Sequence, residues 1–173
     1  FGLRARAGSF AFVIDSSGSM ASRDALGLAK RELLASLRQL PPEAKFAVLF
    51  YNQKPTLLTG LVAATATNKA RLEEDLAAIR ADGVTDHMAA LQAALALRPE
   101  VIFFLTDAEL MSREDVEAIL ARTGETTILA VEFGVGPDLG LSAPLRRLAA
   151  RTGGAYRYVD VTRYRPRAVE EAR

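Results

Sequence analysis

Asp15, Ser17 and Ser19 place a carboxylate and two hydroxyls on alternate residues, directly after the apolar run Phe10-Ala11-Phe12-Val13-Ile14. A buried strand that ends in a loop of hard oxygen donors is an arrangement suited to a hard metal ion, and Gly18 lets that loop turn into a helix. A polar turn or a helix cap uses the same residue types, so the stretch alone leaves both readings open. A second apolar run, Val101-Ile102-Phe103-Phe104-Leu105-Thr106, also finishes in an aspartate, Asp107. Two strands that end alike point to one shared site.

The elements that must position these residues are readable in order. Leu26, Ala29, Leu33, Leu37 and Leu40 recur at helical spacing, and Pro41-Pro42 stops that helix. Phe46 to Tyr51 is a second strand, Asn52 to Pro55 a turn, and Thr56-Leu57-Leu58 a short returning edge strand. Thr67 or Asn68 caps a helix through Leu72, Leu76 and Ile79 that ends near Asp82-Gly83. Val84-Thr85-Asp86 leads into a helix whose face is marked by Met88, Leu91 and Leu95. Ser112 with Asp115 has capping-box spacing for the next helix, through Val116, Ile119 and Leu120. Thr126 to Phe133 is a strand, Ser142 and Pro144 open a helix that Gly153-Gly154 ends, and Tyr156 to Asp160 is a final half-exposed strand.

Alternating strands and helices with continuous apolar strand interiors specify an α/β fold: a three-layer, doubly wound, mostly parallel six-stranded sheet covered by helices on both faces. With Thr56 to Leu58 as a short antiparallel edge strand 3, the order 3-2-1-4-5-6 sets strands 1 and 4 side by side. Their carboxyl ends, carrying Asp15 and Asp107, then flank the crevice where ligands bind in such sheets. Thr85, at the start of the helix feeding strand 4, lies within reach of that crevice. Residues 1–8 read as a linker, 9–161 as the domain, and 162–173, with Arg163, Arg165, Arg167, Glu170 and Glu171, as a polar solvated tail.

With these residues in place the chain resembles the von Willebrand factor type A family over about positions 8 to 160. That family's metal-ion-dependent adhesion site takes ligands from Asp-x-Ser-x-Ser, from a threonine before a helix, and from an aspartate after the fourth strand. The resemblance implies Asp15, Ser17, Ser19, Thr85 and Asp107 as the metal-ligand set, with the hydroxyls binding directly and the aspartates partly through water. Glycine often precedes the threonine and follows the last aspartate in the family, whereas this chain has Val84 and Ala108. An all-oxygen set favours Mg²⁺ or Mn²⁺ over Ca²⁺, which wants more oxygens. Such an ion keeps a coordination position for an Asp or Glu of a partner protein, and the amino end of the helix after Ser19 is expected to add positive charge there. The implied function is a metal-dependent protein-binding module for adhesion or assembly, not an enzyme.

Competing readings attach to the same residues. A scaffold that keeps the fold without metal is one. A Mg²⁺-dependent phosphoryl-transfer enzyme with Asp15 as nucleophile is another, but haloacid-dehalogenase-like phosphatases carry a second aspartate where this chain has Ser17, and Glu132 to Gly136 lacks the lysine that receiver domains need. Thr85 and Asp86 read individually as helix caps, and Asp86 and Glu109 as exposed loop acids. His87, the one histidine, reads as an exposed residue at a helix start. Tyr51, Tyr156 and Tyr158 read as cover for the sheet.

Composition limits the partners. In 173 residues, 50% hydrophobic and 25% charged, one core is expected, and a net charge of +1 gives no electrostatic case for nucleic acid or an anionic membrane. With no cysteine, disulfides and thiolate metal sites are excluded, but the compartment stays open. No apolar stretch reaches membrane-spanning length. The chain begins at Phe1 rather than Met, as expected of a piece of a longer protein that is itself membrane-anchored or exported.

Overall fold

A computed structural model describes residues 3, 5–107 and 111–163 of the chain. Its sheet has six strands: β1 (Ser9–Asp15), β2 (Lys45–Tyr51), β3 (Pro55–Ala63), β4 (Val101–Thr106), β5 (Thr127–Gly134) and β6 (Tyr156–Asp160). They lie in the order β3-β2-β1-β4-β5-β6, with only the β2–β3 pair antiparallel. Five α-helices flank them: α1 (Ala25–Arg38), α2 (Ala66–Asp75), α3 (His87–Ala96), α4 (Arg113–Leu120) and α5 (Ala143–Arg151). The central strands are buried along nearly their whole length because both faces are covered.

Strand alternation divides the core in two. Phe10, Phe12 and Ile14 of β1 join Phe46 and Phe50 of β2 under Leu26, Ala29, Leu33 and Leu37 of α1 and Leu72 of α2. Phe12 stacks on Phe103 with centroids 5.2 Å apart. The intervening residues, Ala11 and Val13 of β1 and Ala47 and Leu49 of β2, pack on the opposite side beneath α3, α4 and α5.

Several local expectations are corrected. The edge strand β3 runs to Ala63, not only over Thr56–Leu58, because two register shifts against β2 absorb extra β3 residues around Gly60, the glycine that breaks the strand pattern in the sequence. The α2 cap is Thr65, two residues early: its hydroxyl accepts the Asn68 N–H at 3.3 Å, while the Asn68 amide turns back to the Ala63 carbonyl at 2.8 Å. Helical structure here stops at Ala78, well before Gly83, and Lys30 of α1 ties down the carbonyls of Leu76 and Ile79 at 2.9 and 2.7 Å. The capping box of α4 forms as the spacing predicts. After α5, Gly153 adopts φ +71 and Gly154 passes so close to β5 that a Cβ would lie 1.9 Å from the Ile128 carbonyl oxygen.

Candidate metal centre

Register aligns the last row of the central strands at the carboxyl end of the sheet, on the face covered by α3 to α5. Asp15 pairs with Tyr51 across β1 and β2, Thr106 with Glu132 across β4 and β5, and Glu132 with Tyr158 across β5 and β6. Ile14 lies beside Leu105, which sets Thr106 next to Asp15. Asp15 is fully buried; its Oδ2 accepts the Thr106 hydroxyl at 3.0 Å and its Oδ1 accepts the Ser17 N–H at 2.8 Å. Both donors are neutral, and among the described residues no lysine or arginine pairs with this carboxylate.

The serine loop is fixed from both sides. Ser16 donates through its N–H and its hydroxyl to the Tyr51 carbonyl, at 2.7 and 3.0 Å, and its own carbonyl accepts the Asp82 N–H at 2.9 Å. The Gly18 N–H donates to the Gly83 carbonyl at 2.9 Å. Ser17 holds the N-cap position of the following 3₁₀ turn, yet its side chain does not cap it; the hydroxyl instead meets that of Ser19 at 3.0 Å. This removes the helix-cap reading of Ser17.

Asn52 locks the Thr85 loop beside the serine loop, donating to the Asp82 carbonyl at 3.0 Å and accepting the Asp86 N–H at 2.8 Å. Asp86 is the α3 cap, its carboxylate accepting the Ala89 N–H at 2.9 Å. The neighbouring Thr85 is therefore not the cap, and its half-buried hydroxyl has no hydrogen-bond partner among the described residues. Asp107 follows Thr106 directly and, half-buried, lines a cleft with Thr106 and Glu132, whereas Thr85 lines a separate depression with Gln53; His87 walls both. Asp15, Ser17 and Ser19 thus form one hydrogen-bonded cluster, Asp107 adjoins it through Thr106, and Thr85 stands across His87 without a bond to the others. Val84 is exposed, while Ala108 and Glu109 lie outside the described residues.

Two expectations fail here. His87 is not an exposed helix-start residue: it is buried, its Nδ1 lies 2.9 Å from the Tyr51 hydroxyl, and its ring meets those of Tyr51 and Phe104 edge-on, each at 5.7 Å. The buried face of α3 is His87, Ala90, Leu91 and Ala94, with Met88 and Leu95 only partly buried, so the histidine belongs to the helical stripe. No α-helix starts at Ser19 either. A 3₁₀ segment, Gly18–Asp24, comes first and breaks at Ser22 and Arg23, with Arg23 and Asp24 at positive φ, so the dipole of α1 begins only at Ala25.

Tyr51, Thr106 and Glu132 are the neighbours that sequence reasoning missed as part of the site. Burial pushes the Tyr51 phenol well above the ordinary tyrosine range, and the charges of Asp15 and Asp107 push it the same way, while a hydrogen bond with Thr106 works in the opposite direction. Each of the three continues the period-two pattern of the α3-side core: Tyr51 after Ala47 and Leu49, Thr106 after Ile102 and Phe104, Glu132 after Ile128 and Ala130.

The residues present fit a hard divalent ion. The donors are all oxygen, with two carboxylates and three hydroxyls. No cluster of three carboxylate or imidazole groups exists among the described residues, so any ion here relies on the hydroxyls.

A doubly wound sheet with a hydroxyl-rich loop after β1 and an aspartate after β4 defines an α/β class with its candidate site at the carboxyl ends of the strands. Within that class, residues 9–158 match the von Willebrand factor type A domain, and the chain belongs to that family. Among solved structures it is similar to a von Willebrand factor type A protein from Catenulispora acidiphila, with 21% identity and a TM-score of 0.77, covering 91% of this chain and 40% of that one. It is similar to BatB from Bacteroides thetaiotaomicron at 16% identity and a TM-score of 0.69, covering 88% and 90%. A third is proximal thread matrix protein 1 of the mussel byssus with a zinc-occupied MIDAS motif, at 21% identity and a TM-score of 0.68, covering 91% and 43%. The chain thus spans less than half the length of the first and third. No curated protein matches it. Among the described residues, no helix is long and apolar enough to cross a membrane.

Proposed function

We propose that this domain binds a protein partner through a Mg²⁺ or Mn²⁺ ion held by Asp15, Ser17, Ser19, Thr85 and Asp107, with an Asp or Glu of the partner completing the coordination. The observation that carries this reading is the serine pair: Ser17 gives up the cap it is placed to make and turns its hydroxyl to Ser19, beside a fully buried carboxylate that, among the described residues, is held by neutral donors. A buried carboxylate without a cation is costly, and a bound ion supplies that charge. Thr85, relieved of capping by Asp86, adds a hydroxyl that no other group among the described residues uses.

The ion, when bound, supplies an electrophilic centre for an anionic oxygen. Ser17, Ser19 and Thr85 offer oxygen donors, Asp15 orders the serine loop through the Ser17 N–H, and Asp107 contributes the second negative charge. The same geometry argues against Asp15 as a phosphoryl-accepting nucleophile, since it is fully buried and both its oxygens already accept hydrogen bonds.

Thermal unfolding of the wild type and Asp107→Ala, in Mg²⁺, in Mn²⁺ and after chelation, tests the reading. A ligand that binds only the folded state raises its stability by RT ln(1 + [L]/Kd). Metal-dependent stabilisation in the wild type alone is the expected result. No shift in either protein at millimolar metal overturns the metal reading and leaves the fold as a scaffold.

A further inference from the structure

The cleft next to Asp107 has chemistry that a metal-bridged carboxylate leaves unused. It encloses about 510 Å³, runs from Asp107 to Glu132, and has apolar walls from Met111, Leu141, Pro144 and Leu145. Glu132 is half-buried and accepts a hydrogen bond from the Tyr156 hydroxyl. Among the described residues it has no ion-pair partner. Arg146 acts on Glu132 through its charge but makes no ion pair with it: its guanidinium pairs with Asp138 and lies over the Tyr156 ring, 4.0 Å from the centroid. Leu141 at the mouth is 81% exposed, an apolar surface that water covers poorly.

A half-buried carboxylate at one end of an aliphatic channel matches a cation carried on a methylene stem. The stem lies along apolar walls while the charged head reaches the carboxylate. We propose that this cleft receives a lysine or arginine side chain of the same partner whose carboxylate meets the ion, so that the recognised surface carries an acidic and a basic residue side by side. The pairing with the acidic residue rests on the metal-bridged reading above; the preference of the cleft for a cation does not.

The probe is N-acetyl-lysine N-methylamide, compared with its norleucine analogue, titrated into methyl-labelled protein in Mg²⁺. The readout is the chemical shift of the Met111, Leu141 and Leu145 methyl groups. Saturable shifts at these methyls with the lysine compound, about tenfold weaker binding of norleucine, and equal weak binding of both to Glu132→Gln are expected for a charge-assisted contact. Equal binding of both compounds to the wild type, or shifts confined to other methyls, overturns the proposal. Amide shifts of Ser17 and Ser19 on adding Mg²⁺ read the metal site separately. A metal response without a lysine preference rejects the cleft alone. A lysine preference without a metal response upholds the cation cleft and rejects the bridge.

Discussion

The two faces of the sheet are built from different side chains along the same strands. On the α1 and α2 side, β1 and β2 contribute Phe10, Phe12, Phe46 and Phe50, and the face stays apolar to its end at Ile14. On the α3 to α5 side the same strands contribute Ala11, Val13, Ala47 and Leu49, met by Ala90, Ala94 and Ala149 from the helices. That second face then turns polar at its last row, with Tyr51, Asp15, Thr106 and Glu132 in register. Along β1 and β2, large side chains supply burial on one face, and smaller ones on the other let helices approach a sheet whose end carries charge. Stability and site are thus separable by strand parity, residue by residue.

The largest effect expected is on the aromatic face. Phe12→Ala, which removes a fully buried ring stacked on Phe103, should cost about 3–5 kcal/mol in urea unfolding without a change in slope. The folded remainder should keep its Mg²⁺-dependent stabilisation. Loss of that response while the protein is still folded would break the separation of the faces.

On the polar row, Asp15→Asn should do the reverse. The amide keeps the shape and an oxygen for the Ser17 N–H, so stability without metal should stay within about 1 kcal/mol of wild type. Mg²⁺ affinity, read by calorimetry, should fall at least about tenfold because one of two nearby negative charges is gone. A large stability loss without metal would make Asp15 a structural acid instead.

The fold was legible because its signals are long and redundant. Continuous apolar runs gave β1, β2, β4 and β5, and their alternation with helices gave the strand order. Asp15, Ser17 and Ser19 were legible as a cluster because alternate residues of one short loop cannot be far apart. What stayed hidden depends on contacts between distant segments. Tyr51 ends an apolar run and reads as cover until register sets it beside Asp15. His87 reads as exposed beside Thr85 and Asp86, although its spacing to Ala90, Leu91 and Ala94 marks the buried stripe. The length of β3, read only over Thr56 to Leu58, stayed hidden because two register shifts against β2 carry its pairing on to Ala63, and such bulges depend on the partner strand.

Tyr51→Phe probes the buried layer beneath the polar row. The folded protein holds the Tyr51 phenol above the usual 10.0, so the folded state keeps a proton that the unfolded state releases. The stabilisation this provides is complete below pH 10 and is lost as pH rises through and beyond that value. Tyr156 and Tyr158 are shifted in the same direction, so the wild type should lose stability on the alkaline side from all three groups, and Tyr51→Phe should make that decline shallower without abolishing it. At neutral pH the variant should cost about 1–2 kcal/mol, because His87 loses the phenol that meets its Nδ1. Urea midpoints at pH 8, 9, 10 and 11 measure both effects, and a decline as steep as wild type would place the alkaline loss elsewhere.

The smallest effect expected is at the start of α4, where the loop after β4 meets the helix. Ser112 and Asp115 form a reciprocal cap: the serine hydroxyl accepts the Asp115 N–H at 3.0 Å, and the Asp115 carboxylate accepts the Ser112 N–H at 3.0 Å. Ser112→Ala removes the first of these together with the hydroxyl's own donation to the Asp115 carboxylate at 2.8 Å, but Asp115 still places a negative charge in the first turn, so the loss should be about 1 kcal/mol. Asp115→Ala removes the charge and the other half of the pair, and should cost slightly more. Ser112 lies outside the polar row and outside the depression that Thr85 lines, so its variant should leave the Mg²⁺ response unchanged, whereas Asp115 shares that depression with Thr85. Met111, one residue earlier, lines the cleft beside Asp107. If Ser112→Ala weakens the lysine compound by more than about twofold while leaving stability nearly intact, the α4 cap sets the shape of the cleft, and the boundary between the stabilising elements and the site lies at Ser112 and not at the strand ends.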